Sequence, residues 1–256
     1  MSRFIDKLKQ TSRAMPQPMG FRVVSPASPK PRMQIVASMV EADIDHLADY
    51  VAGTDAGLLQ LTKSSRGVKA LAKVAQALSG IPWGVIGNDG GGGLAPAVKA
   101  GGDFIVFSES AVFLPIANID KAGKILEVVT SLNDSMLRAI AELPVDAVLI
   151  GSEKRESLTW HHLMLFQRFA NILSKPVLAR VPSNLSGNEI ESLWAVGVDA
   201  VVIEVGAEQP VARLSELRQV IDGLTLPLRH RRGKEAAILP RAGAAMETVT
   251  DEEEEE

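Results

Sequence analysis

The chain has 256 residues, 46% hydrophobic and 23% charged, with a formal net charge of −4. That is enough apolar content for a full core, and the charge balance gives no bulk electrostatic case for nucleic acid. The absence of cysteine excludes disulfides, thiolate nucleophiles and Cys-ligated metals. No apolar run reaches the roughly 18 residues of a membrane span. The N-terminus lacks the apolar core of a signal peptide, so the expected location is cytoplasmic.

Residues 1–14 read as a short amphipathic helix. Ser2 is its N-cap candidate, and Phe4, Ile5 and Leu8 share one face among Arg3, Lys7 and Lys9. A helix this short is marginal alone, so it is expected to dock as a cap on the body of the protein. A membrane-surface or partner-binding helix is the alternative. Pro16, Pro18, Pro26, Pro29 and Pro31 then mark 15–32 as an extended linker or wrapping arm.

From residue 33 a regular alternation begins. Strands are expected over 33–39, 57–62, 82–86, 103–107, 125–130, 146–150, 176–181 and 199–205. Helices are expected over 42–51, 65–78, 94–100, 134–142, 158–173, 187–196 and 211–221, with a weakly patterned connection after the fourth strand. The strands are β-branched and apolar on both faces, as strands covered on both sides must be. Several open with similar phrases, AGGDFIVF, LPVDAVLI and VGVDAVVI, in which Gly or Pro ends the previous element and Asp starts the strand. Eight βα units over 33–224 predict an α/β protein with a closed eight-stranded parallel TIM barrel. An open doubly wound sheet would show a Gly-rich fingerprint after its first strand, and QIVASMVEAD has none.

The repeated Gly-x-Asp strand entry and the closing helix-strand unit resemble the aldolase-type and phosphate-binding (β/α)8 barrels. The ribulose-phosphate-binding and flavin-mononucleotide-linked groups belong to that class. The resemblance implies a working site on the loops after the strands, so those loops hold the candidates. After the second strand, Lys63, Ser64 and Ser65 enter a helix N-terminus that favours anions. Ordinary capping is the plainer reading. After the third, Asp89 and Gly91 sit in a glycine run able to approach a ligand closely, or simply flexible.

Glu109 after the fourth strand is an isolated carboxylate suited to general acid or base work. Lys154, beyond the sixth strand in a charged run, suits a solvated loop rather than a Schiff base, which wants a desolvated pocket. Ser183, Asn184 and Ser186 after the seventh strand and Gly206 after the eighth stand where the resemblance implies phosphate contacts. Ser183, Asn184 and Ser186 replace a glycine doublet usual there.

A second pattern lies within the strands. Gln34, Gln60, Glu127, Arg180 and Glu204 interrupt otherwise apolar runs. The outer faces pack on helices, so these groups are expected inside the barrel. A buried charge must be paired, which predicts that Arg180 bonds Glu204 on the neighbouring strand, with Glu127 a further partner. A structural plug is the plain reading, and Glu204 or Glu127 as a buried acid or base the functional one. His161 and His162 do not share a helix face and make a poor metal pair. Trp160, Phe166 and Phe169 are expected to pack that helix on the barrel.

Residues 225–256 contain a basic cluster, LRHRRGK, and end in six consecutive acids, Asp251 to Glu256. Such a like-charge block self-repels and is expected to stay disordered. Three functions remain open. One is a lyase or isomerase acting on a phosphorylated or anionic small molecule, with Glu109 or Glu204 transferring protons and Lys63 and Arg180 holding the anion. Another is a flavin-binding oxidoreductase, whose cofactor would be FMN. The last is a non-catalytic scaffold binding a protein partner through its termini.

Overall fold

The computed structural model describes residues 2–12, 32–40, 47–60, 68–87, 93–151, 157–205 and 212–227. Eight parallel strands close into a barrel in chain order. They are β1 (Gln34–Val40), β2 (Ala56–Gln60), β3 (Trp83–Gly87), β4 (Phe104–Ser108), β5 (Gly123–Val128), β6 (Ala147–Ile150), β7 (Val177–Arg180) and β8 (Ala200–Val205). A leading helix α1 (Arg3–Ser12) precedes them. The others follow the strands as α2 (Leu47–Tyr50), α3 (Val68–Ala77), α4 (Leu94–Lys99), α5 (Phe113–Ala117), α6 (Asp134–Glu142), α7 (Trp160–Ile172), α8 (Gly187–Ala195) and α9 (Ala212–Gly223).

Two apolar clusters divide the core. One lies between the helices and the outer strand faces. The other combines the inward side chains with Phe4, Ile5 and Leu8 of α1. The strand register resolves the interior into layers. Ser38 pairs with Leu58, and Leu58 with Gly84. A climb of two residues on β3 gives Ile86, whose register leads through Val106 to Ile125. Climbing again gives Glu127, then through Leu149 to Leu178 and up to Arg180. From Arg180 the path runs through Val202 to Val36, and one last climb returns to Ser38. Four climbs of two residues make the shear of eight that this barrel requires, with each layer supplied by alternate strands.

The strand-opening aspartates have a common use at the floor. The N–H groups of Asp55, Asp103, Asp146 and Asp199 donate to the carbonyls of Ile35, Trp83, Lys124 and Val177. Three of the carboxylates answer the same strand: Asp55 accepts from Ile35 N–H at 2.9 Å, Asp146 from Lys124 at 3.0 Å and Asp199 from Val177 at 2.8 Å. Each latch joins an odd strand to the following even one and satisfies backbone donors at the barrel's end. Asp55 also holds Arg218 of α9 and, at 3.0 Å, Arg32.

Asp103 differs. Its carboxylate accepts from the N–H groups of Arg3 (2.8 Å) and Phe4 (2.9 Å) and from the Ser2 hydroxyl (2.7 Å), so it receives the start of α1. Ser2 Oγ accepts from Ile5 N–H at 3.2 Å, as an N-cap does. Lys9 pairs with Asp146 at 2.9 Å. Phe4 then reaches Phe104, with ring centroids 4.9 Å apart. The helix caps the barrel floor.

Two expectations need correction. β5 starts at Gly123 rather than 125, because glycine, a poor strand former, is needed there: a Cβ would stand 2.3 Å from Ile5 Cγ1. Trp160 does not pack on the barrel; it is 83% exposed at the first position of α7, while Phe166 and Phe169 are buried as expected. The weakly patterned connection after β4 contains α5. The proline-rich stretch, the basic cluster and the acidic tail lie outside the described residues.

Candidate functional site

At the carboxyl ends of the strands the layers turn polar. The uppermost odd-strand layer is Ser38, Ile86, Glu127 and Arg180. Above it, by the same alternation, stand Gln60, Ser108, Gly151 and Glu204. Arg180 is the centre of this region. Its Nε and Nη2 both lie 3.0 Å from Oε1 of Glu127, with the two side chains only 15% and 21% exposed. Glu204 Oε1 is 3.9 Å from Nη1, beyond hydrogen-bond range, and its side chain is 47% exposed.

The expected pair is therefore reordered: Glu127 is the main partner and Glu204 the outer one. The layer geometry explains this. Alternate strands share a layer, so Arg180 on β7 meets β5 at its own height and β8 one step nearer the mouth. β6 lies between, and its inward position is Gly151. A Cβ there would approach the Val128 carbonyl to 3.3 Å and Glu127 Oε1 to 3.8 Å. The missing side chain leaves open the ground beside the Glu127 carboxylate that holds Arg180.

Two polar atoms at the mouth are buried without a hydrogen bond: Arg180 Nη1 and Ser38 Oγ. Both belong to the same layer, on the two strands that flank β8. Buried polar groups are paired in the great majority of cases; the third such atom among the described residues is Gln34 Oε1, at the floor. Sequence reading passed over Ser38 and Gly151, although the inward alternation of β1 and β6 could have flagged both.

The other candidates are dispersed. Glu109 is exposed in the turn after β4, next to a Ser108–Ser110 hydroxyl contact of 2.8 Å. The Ser183 carbonyl accepts from Arg213 Nε at 3.2 Å, and Asn184 is exposed. Ser186 is committed to capping α8 in a capping box with Glu189. The Ser186 backbone N–H and then its hydroxyl hold the Glu189 carboxyl below its ordinary pKa. His162 closes a similar box, its Nδ1 accepting from Thr159 N–H at 3.1 Å. Lys63, Ser64, Ser65, Asp89, Gly91, Lys154 and Gly206 lie outside the described residues.

No protein-family model matches the chain, and no curated protein matches it in sequence. Solved structures do. A tryptophan synthase alpha-subunit variant from Pyrococcus furiosus superimposes with a TM-score of 0.59 at 15% identity, covering 75% of this chain and 97% of that one. The thiamine phosphate pyrophosphorylase of the same organism gives 0.59 at 11% identity, covering 74% and 96%. Tryptophan synthase from M. tuberculosis in its aminoacrylate-bound form gives 0.54 at 14%, covering 74% and 92%. The fold is the (β/α)8 barrel. At these identities the likeness is one of fold; in characterised enzymes of this fold the working sites lie at the carboxyl ends of the strands. Among the described residues, no helix is long and apolar enough to cross a membrane.

Proposed function

We propose that this protein is a small-molecule enzyme acting on an anionic substrate at the barrel mouth, in lyase or isomerase chemistry. The observation that carries this reading is Arg180, fastened by two of its nitrogens to Glu127 while the third stays unbonded beneath Glu204. Such an arrangement fixes the guanidinium plane in advance and leaves a donor for charge that develops on a substrate oxygen. Glu204, half-exposed beside it, is the proton acceptor, and Glu127 is a positioning residue acting through Arg180. This geometry favours Glu204 over Glu109, which stands exposed on the rim. Lys63, Ser64 and Ser65 after β2, Asp89 and Gly91 after β3, Ser183 and Asn184 after β7 and Gly206 after β8 would complete the ligand contacts. The two enzymes of known structure named above, one of them a thiamine phosphate pyrophosphorylase, are in keeping with this class.

A proton-transfer enzyme exchanges a substrate C–H with solvent. The protein is incubated in heavy water with a panel of small phosphorylated and carboxylated aldehydes and ketones, and proton NMR follows the hydrogens next to the carbonyl. The expected result is catalysed loss of one such signal, cut by 100-fold or more in Glu204→Gln, in line with general-base contributions of about 10²–10⁴. Equal exchange in that variant, or none across the panel, would defeat the reading.

A further inference from the structure

We infer that this chain pairs with a second copy of itself through α7, the two helices running antiparallel so that Trp160 of each copy enters a groove on the other. The inference stands apart from the chemistry of the mouth and gives the exposed Trp160 a use.

The first argument is the pattern of the helix. His162, Phe166 and Phe169 are its buried side. On the opposite side Trp160, Met164, Gln167 and Asn171 are all exposed, Trp160 by 83% and Met164 by 67%. Their spacing of four, three and four residues is that of a seam between two paired helices. A groove follows the lower part of this face, lined by Met164, Gln167, Arg168, Asn171 and Ile172. One helix thus carries an exposed ring at its start and a groove about two turns further on. An antiparallel two-fold brings each ring to the other copy's groove at the same time, as an isologous contact requires. A parallel pairing would set ring against ring and groove against groove.

The second argument is charge. The four seam residues carry none. The neighbouring Arg168 is drawn towards α6, where Asp134 Oδ1 lies 2.6 Å from Nη2 and accepts from Nε at 2.7 Å, and the Leu132 carbonyl accepts from Nη2 at 2.7 Å. Two such faces meet without like-charge repulsion. A strongly acidic or basic partner would find no counter-charge along the seam, and a lipid surface would bury the Gln167 and Asn171 amides unpaired. In the two-fold pair the Gln167 amides face each other near the axis, and Asn171 meets the Trp160 indole N–H of the other copy.

The third argument is area. Trp160 and Met164, counted on both copies, offer on the order of 600 Å² of exposed surface. The groove walls they cover contribute as much again, for a total of about 1,200 Å², the low end of specific interfaces. The pairing is therefore weak and concentration-dependent.

The test uses the full chain. Sedimentation is followed from about 1 µM to about 500 µM, the range in which so small an interface fills, with tryptophan emission and acrylamide quenching on the same samples. Trp83 and Trp194 are only 4% and 1% exposed, so the quenchable signal reports Trp160. A monomer–dimer equilibrium is expected, with Trp160 shielded as the dimer fills. Trp160→Ala is expected to weaken it about 30-fold, as a central aromatic anchor does, with an unchanged unfolding midpoint in dilute solution. The chain has no cysteine, so single thiols report the orientation. The two-fold axis falls near residue 166, midway between Trp160 and Ile172. Gln167→Cys is expected to oxidise to a covalent dimer, and Asn171→Cys, whose two thiols stand about 15 Å apart along the axis, is not. A monomer at every concentration, a dimer unaltered in Trp160→Ala, or ready oxidation of Asn171→Cys would each overturn the inference. A monomer whose Trp160 is already shielded would overturn it too, and would assign the groove to a segment of the same chain.

Discussion

The floor and the mouth of this barrel are built from the same eight strands and solve opposite problems. At the floor the strand-opening aspartates are all engaged, and one buried acceptor, Gln34 Oε1, has no hydrogen bond. Four aspartates tie strand to strand or strand to helix, and Phe4, Ile5 and Leu8 fill the axis. At the mouth, Arg180 is clamped on one side only, a glycine stands where a side chain could have filled the space, and two buried polar atoms lack partners. The difference teaches that the floor uses its carboxylates to tie elements together, whereas the mouth gathers its charge around one half-clamped guanidinium.

The comparison can be broken most forcefully at the floor. Phe4→Ala removes a fully buried ring from the axis and should cost about 3–5 kcal/mol, read as a lower midpoint in chemical denaturation. An unchanged midpoint would mean that α1 is no part of the core. At the mouth, Arg180→Ala leaves Glu127 without its counter-ion. The residual exposure of both groups puts the expected loss near 3 kcal/mol, the low end for such pairs. The double variant Arg180→Ala/Glu127→Ala should recover much of it, and a loss as large as in the single variant would show that packing, not charge, dominates there.

The smallest effect sharpens the contrast by lying on the outside of the molecule. Glu189 has its pKa lowered in the fold by Ser186, so the folded state favours its ionised form. Its contribution is complete above the ordinary Glu value of about 4.3 and fades as the pH falls below that, through the lowered folded value. For so exposed a group, about 0.5 kcal/mol is expected, measured as the stability difference between the wild type and Glu189→Gln at pH 6 and at pH 3. The difference should shrink at the lower pH.

The barrel was legible because its signals repeat. Asp-led apolar runs recur, and the inward positions keep their alternation from Gln34 to Glu204. The residues that refine the site were less legible for physical reasons. Ser38 and Gly151 are small and look bland in a one-dimensional pattern, and only the closed register sets them beside Arg180. The preferred partner of Arg180 was misjudged because adjacency in a sheet suggests β8, whereas a barrel layer joins alternate strands. Gly123, of a residue type that forms strands poorly, serves as the seat for Ile5. Trp160 was taken for core on its apolarity, but its place at the helix start turns it outward.

The aspartate latches also bear on how the chain finds its shape. Three of them close over 20 to 22 residues, within one strand-helix-strand unit. Contacts that local lose little chain entropy and are expected to form early. Asp103 instead reaches back 99 to 101 residues to the first turn of α1. During synthesis the N-terminal helix leaves the ribosome first, yet its acceptor emerges only after three strands have been made. The segment that comes out earliest is therefore expected to lock into place late.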